Sequence, residues 1–239
     1  DDDVRLVIRA YPPNHIEGDP AAWVEEQIDA LLAKAGGSRE KCAPIVVLGR
    51  QIPDADMPRL YACADVYLAP SRGEGWGRPH MEAMSSGVPV IATRWGGNLD
   101  FQDSDNSWLI DVDGLEEIDA REEFPIYRGQ RWARPSISHL CWLMKSAASD
   151  PERRKVLGAK ARRDMVERWD WTKIAPLAEI RLREILAGVP AERSELRKTA
   201  SSSPPIPSSA PSTIESPAIN ALLPRLKGRI PIAMPAYNR

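Results

Sequence analysis

Five short apolar runs, spaced along the first half of the chain, constrain its fold more than any other feature. They read "RLVIRA", "PIVVLG", "DVYLAP", "PVIAT" and "SWLIDV". Runs of this length, rich in Val, Ile and Leu and without polar alternation, predict strands buried on both faces. Helical sequence lies between and after them. Asp19 and Pro20 supply an N-cap and a first-turn proline for a helix with an apolar stripe of Val24, Ile28, Leu31, Leu32 and Ala35, closed by Gly36 and Gly37. "DADMPRLYACA" reads as a short helix with Leu60 and Cys63 or Ala64 inward. Ser136 to Ser149 predicts a helix with Ile137, Leu140, Cys141 and Met144 on one face. Asp150 and Pro151 open a longer one through Arg168, and "WDW" breaks the pattern before a last segment carrying Ile174, Leu177, Ala178 and Ile185. Strands alternating with helices predict an α/β fold, a Rossmann-like parallel sheet with helices on both faces.

The organisation changes near residue 188. Residues 1–188 read as one domain, and 189–228 as a Ser/Pro-rich linker ("TASSSPPIPSSAPSTIESP") with too little apolar surface to order itself. Residues 229–239, "RIPIAMPAYNR", begin something strand-like and are read as the start of a second domain. The net charge of −2 gives no electrostatic reason to expect nucleic acid or an anionic membrane as partner. No apolar run approaches the roughly 18 residues of a membrane span, and no signal peptide is expected, which fits a cytoplasmic protein. Cys42, Cys63 and Cys141 are far apart and predict reduced thiols rather than a disulfide framework or zinc site.

The chemistry concentrates in "GEGWGRPHMEAM", Gly73 to Met84. In parallel sheets ligands sit beyond the carboxyl ends of the strands, and this loop follows one. Pro79 suits the first turn of a helix starting near Arg78, so Glu74 lies on the loop and Glu82 on the helix. Glycines at 73, 75 and 77 let the main chain approach a ligand, and the amides of Trp76, Gly77 and Arg78 point at it. A helix N-terminus of this kind suits a phosphate, with the dipole contributing ~0.3–1 kcal/mol. Two carboxylates beside a phosphate need another task, and sugar hydroxyls offer one: a ribose on one side, a hexose on the other. That describes a nucleotide-diphosphate sugar. The plainer alternative keeps Glu82 as a dipole-friendly acid and Glu74 as a solvated loop residue. His80 reads as a packing or surface residue, not a base, and Met81, Ala83, Met84 and Ile91 as core. The spacing does not fit a G-x-G-x-x-G fingerprint, and no P-loop is present. The pairs Asp54/Asp56, Asp103/Asp105 and Asp111/Asp113 read as Asx turns or caps, so no metal is expected.

The stretch "PSRGEGWGRPHMEAMSSGVPVIATRWGGN" resembles the donor-site signature of family 4 glycosyltransferases: E-x7-E (Glu74, Glu82), an E-A-M helix, a G-x-P-V-I strand (Gly87–Ile91) and Gly96–Gly97. The resemblance extends more weakly from about Arg5 to Leu186. It implies the C-terminal half of a GT-B fold, transferring a hexose with retention to a saccharide or glycoconjugate acceptor, with no cofactor beyond the nucleotide-sugar donor and no essential metal. It further implies Glu74 as the catalytic residue, binding hydroxyls of the transferred sugar and supporting developing positive charge. Gly75, Trp76, Gly77 and Arg78 would lie on the diphosphate or sugar, Glu82 on the ribose, and Gly49 and Arg50 near the base. The departures from the family pattern are expected absences: the domain's first strand with the Arg/Lys pair that follows it, and the N-terminal GT-B domain that binds acceptor. Arg78 or Arg94 would have to supply positive charge. The terminal "IPIAMPAYNR" resembles the start of a family 2 glycosyltransferase. A larger enzyme of polysaccharide biosynthesis, cytoplasmic or peripheral at the membrane, is implied. A non-catalytic nucleotide-sugar-binding module and a nucleotide-sugar epimerase of the same architecture remain as alternatives.

Overall fold

The structure is a computed structural model and describes residues 4–10, 19–49, 51–117, 125–188 and 230–236. Its core is a six-stranded sheet, and every recorded pairing in it is parallel. The strands are β1 (Val4–Ala10), β2 (Ile45–Leu48), β3 (Val66–Ala69), β4 (Val90–Thr93), β5 (Ser107–Ile110) and, from the far end of the chain, β8 (Ile230–Ala236). A separate antiparallel hairpin joins β6 (Val112–Glu117) to β7 (Arg131–Pro135). The helices are α1 (Pro20–Lys34), α2 (Met57–Ala62), α3 (Arg78–Ser85), α4 (Ile137–Ser149), α5 (Pro151–Asp164) and α6 (Trp171–Ala187).

The two-residue alternation of each strand divides its side chains between two helical layers. From β3 and β4, Tyr67, Ala69, Val90 and Ala92 pack with Tyr61 of α2, Ala83 and Met84 of α3, and Ala161 of α5. Val66, Leu68 and Ile91 point the other way, onto Leu143 and Ala147 of α4. In β1, Val7 meets Leu48 and Leu60, whereas Ile8 and Ala10 meet Val24 of α1. Helices therefore cover both faces, as the strand sequences predict.

Several expectations about helix faces need correction. In α4 the inward stripe is Leu140, Leu143, Met144 and Ala147, while Ile137 is 67% exposed and Cys141 is also exposed. The stripe still follows helical spacing, rotated from the expected face by where β5 and β3 lie. In α1, Trp23, Val24 and Ile28 pack on β1 and β2, but Leu31 is 66% exposed and Ala35 is exposed. The helix lies over the β2 edge, where Ile45 and Val47 meet only its first half. Helix α5 stops at Asp164 and passes into one widened turn, Met165–Trp169, before Asp170 caps α6 through the Thr172 amide (2.8 Å). None of the described residues of α6 is buried, including Leu177 and Ile185.

The strand order β2-β1-β8-β3-β4-β5 holds the largest surprise. The sequence sets residues 229–239 apart as the start of another domain. Here Ile230–Ala236 pairs along the whole of β1, from Val4↔Ile230 to Ala10↔Ala236, and with β3 at Val66↔Ile232 and Tyr67↔Ala233. A seam between two parallel strands would otherwise leave two rows of backbone groups unpaired, and an extended segment satisfies both. Pro231 and Pro235 withhold two amides, a cost for an interior strand. The expected linker, 189–228, lies outside the described residues. No helix among the described residues is long and apolar enough to cross a membrane.

Candidate functional site

Because the main-sheet strands are parallel, the segments that leave their carboxyl ends gather at one edge of the sheet. Gly49 follows β2, Gly73–Gly77 follows β3, and Trp95–Gly97 follows β4. Gly49 is buried, and Arg50 lies outside the described residues.

The loop after β3 is held by main-chain contacts on both sides and by the side chains of Arg72 and Trp76. Arg72 exchanges hydrogen bonds with Ala133 of β7: the Ala133 amide donates to the Arg72 carbonyl (2.9 Å), and Arg72 Nε donates to the Ala133 carbonyl (3.3 Å). The β6–β7 hairpin, which the sequence does not predict, thus buttresses the start of the loop. On its other side the Gly97 amide donates to the Glu74 carbonyl (2.9 Å). A Cβ on Gly97 would stand 2.1 Å from the Gly75 carbonyl oxygen, and one on Gly96 2.6 Å from that of Glu74. The Gly-Gly pair is there because two main chains touch.

Helix α3 begins at Arg78, as the position of Pro79 predicts. Gly77 caps it in the left-handed region (φ 91°), a conformation open to glycine at no steric cost. Among the described residues no partner is recorded for the amides of Trp76, Gly77 or Arg78. The Trp76 indole is occupied elsewhere: its Nε1 donates to Met81 Sδ (3.0 Å), and its ring lies 5.6 Å from Phe101 and 5.4 Å from Trp169. The first Trp of "WDW" therefore packs under the loop, a connection that sequence distance hides.

The two carboxylates have different surroundings. Glu82, in the second turn of α3, accepts a hydrogen bond on Oε2 from the buried Tyr61 hydroxyl (2.9 Å), and its Oε1 lies 3.8 Å from Arg78 Nη2. Arg78 is otherwise exposed, and Arg94 lies 3.6 Å from Asp111. Glu74 Oε2 lies 3.9 Å from Nε2 of His80, which is only 2% exposed. His80 is thus a buried packing residue, and it faces the loop acid. Burial lowers its pKa below the ordinary imidazole value, although the Gln102 hydrogen bond and the Glu74 charge pull upward. Sequence reading missed Tyr61, Gln102 and Asn98. Tyr61 carried a usable signal, since it is adjacent to Leu60 on a helix expected to face the core.

Of the acid pairs, Asp103/Asp105 and Asp54/Asp56 lie in turns, whereas Asp111 faces Arg94 and His139 and Asp113 lies within β6, so the third pair is not the turn the sequence suggests. Asp103 Oδ1 accepts from the amides of Asp105 (2.8 Å) and Asn106 (3.2 Å), and Asp54–Asp56 is a single tight turn. Among the described residues no three His, Cys, Asp or Glu side chains are grouped to hold a metal.

Comparison with known proteins agrees with this architecture. Residues 5–121 match the family model described as Glycosyl transferases group 1. A GDP-mannose-dependent alpha-mannosyltransferase of Mycolicibacterium smegmatis is 32% identical over 117 residues, which cover 47% of this chain and 31% of that protein. Sucrose-phosphate synthase from Thermosynechococcus elongatus superposes with a TM-score of 0.54 at 20% identity, covering 77% of this chain and 39% of its own. The Anabaena protein HepE, solved in complex with UDP-glucose, gives 0.50 at 19% identity over 78% of this chain and 41% of its own. The chain thus matches well under half of the length of each of these proteins. At such identities the structural likeness speaks for the fold, and the family match for the segment it covers. Together they support a Glycosyl transferases group 1 domain over residues 5–121.

Proposed function

We propose that this chain is the donor-binding part of a retaining glycosyltransferase, moving a hexose from a nucleotide-diphosphate sugar to a saccharide or glycoconjugate acceptor without a metal. One observation carries the reading: unclaimed amides at the start of α3 with a carboxylate on either flank. Main-chain N–H groups at a helix N-terminus favour a diphosphate, supported by the dipole. Glu82, with one oxygen taken by Tyr61, has lone pairs left for ribose hydroxyls. Glu74 would accept from hydroxyls of the transferred sugar and stabilise the positive charge that develops as its bond to the diphosphate breaks. The buttressed loop supplies the pre-organisation such stabilisation requires. Gly49 and Arg50 would lie by the base, and the acceptor would be bound by a further domain. The relatives named above, one dependent on GDP-mannose and one holding UDP-glucose, fit a donor of this chemical class.

The test separates the two acids. In the full-length enzyme, Glu82→Ala should weaken nucleoside diphosphate binding about tenfold or more, the cost of losing a charged hydrogen-bond partner. Calorimetry that finds unchanged affinity would remove the ribose assignment. Glu74→Ala should leave nucleotide affinity nearly intact while transfer collapses. Equal losses in both would mean that Glu74 does not touch the sugar.

A further inference from the structure

Behind Glu74 the buried side chains form a hydrogen-bonded line whose direction can be read from its end. Asp164 is buried on α5; burial alone would raise its pKa, but hydrogen bonds from Lys160 and Asn106 hold it below the ordinary value, so it stays a carboxylate and only accepts. Asn106 Nδ2 donates to its Oδ2 (3.0 Å). That leaves Asn106 Oδ1 as an acceptor, which takes the Asp103 amide (3.0 Å) and the Ser107 hydroxyl (3.1 Å). Having spent its proton, Ser107 Oγ accepts from Gln102 Nε2 (3.0 Å). Gln102 Oε1 is then the acceptor end of its amide and takes Asn98 Nδ2 (3.0 Å). His80 Nδ1, 3.1 Å from the same oxygen, must come as N–H.

The proton on Nδ1 decides the other nitrogen. A neutral ring protonated there has a bare Nε2, and that atom faces Glu74 Oε2 at 3.9 Å, two acceptors beyond hydrogen-bond reach. The titratable groups recorded against the ring are Glu74 and, from β3, Tyr67, whose ring centre is 5.9 Å away. Gly77 completes the pocket, since a Cβ there would stand 2.9 Å from His80 Nδ1.

We infer that His80 is a positioning residue for Glu74: the line from Asp164 keeps its proton on Nδ1, so that Nε2 withholds a hydrogen bond and both Glu74 oxygens stay available to the hydroxyls of a bound sugar. The inference rests on the donor-site reading above. A proton on Nε2, whether from the other tautomer or from an imidazolium, would claim one of those oxygens.

Nuclear magnetic resonance of the chain labelled in its histidine rings tests the proton directly, with His80 assigned from the spectrum of His80→Gln. At pH 7.5 the expected state is Nδ1 protonated and Nε2 bare; an Nε2–H ring or an imidazolium overturns the inference. The consequence for binding is read with GDP-mannose and UDP-glucose as probes, each against its bare diphosphate. Gln102→Glu places a carboxylate at Nδ1 and favours the imidazolium. It should reduce the affinity gained from the sugar about tenfold near neutral pH, the loss expected for one charged hydrogen bond. Bare GDP or UDP should bind as before, and raising the pH should restore the sugar's contribution. A contribution that stays constant across variant and pH overturns the inference while the donor site survives. Binding of neither nucleotide nor nucleotide sugar overturns both. The ring spectrum of the unsubstituted chain decides the tautomer even if Gln102→Glu does not fold.

Discussion

Glu74 and Glu82 are the same residue type eight positions apart, yet the structure treats them in opposite ways. Glu82 sits on a helix and accepts from a buried phenol, so one oxygen is tied before any ligand arrives. Glu74 sits on a loop whose main chain is clamped by Gly96–Gly97, and its side chain faces a histidine nitrogen rather than a donor. The helix arm is held through its side chain and the loop arm through its backbone. Two ways of fixing a carboxylate therefore coexist around one helix start, and they should fail differently.

The loop arm should be the more brittle. Gly97→Ala pushes a methyl group into the Gly75 carbonyl, and main chain cannot rotate aside as a side chain can. A loss of about 1–3 kcal/mol or more is expected for such overpacking, read as a lower urea midpoint, together with loss of nucleotide binding. Wild-type stability would mean that the two loops do not touch as described.

The helix arm should yield more gently. Tyr61→Phe removes the donor to Glu82 and keeps the ring that packs edge-on to Tyr67. Nucleoside diphosphate affinity should weaken about threefold to tenfold, less than the full worth of one hydrogen bond to a charged group because Tyr61 acts on the ligand only through Glu82, with the melting temperature little changed. An affinity equal to the parent's would show that Glu82 needs no help to hold its position.

The smallest effect should come from pH. The buried ring of His80 binds its second proton less readily than the unfolded chain does, where the pKa is about 6.5. The unfolded state thus takes up more protons as pH falls through that value, and stability drops with it. The contribution is whole above about 6.5 and is lost progressively toward the lowered folded value. Melting curves across this range should slope more steeply for the parent than for His80→Gln. Parallel slopes would place the ring in contact with water.

Much of this was legible in the residues themselves. The strand runs, the caps at Asp19 and Asp150, the helix start at Arg78 and the core positions Ala83, Met84 and Ile91 follow from local rules, because apolar period and capping chemistry act within a few residues. The places where reading failed are those where a partner distant in sequence decides. Ile137 and Leu31 are apolar residues at helical spacing that the sheet does not reach. The β6–β7 hairpin and the packing of Trp169 beneath Trp76 join segments that nothing local connects.

The sequence by itself determined a parallel α/β sheet and the address of its candidate site, the loop after β3, since strand pattern, glycine spacing and the proline at position 79 are properties of adjacent residues. Only the tertiary structure decided that Ile230–Ala236 lies between β1 and β3, and that Tyr61 and His80 stand behind the two acids. Strand neighbours and buried hydrogen bonds are settled by which unpaired groups meet once the chain has closed on itself, and no local pattern records that meeting.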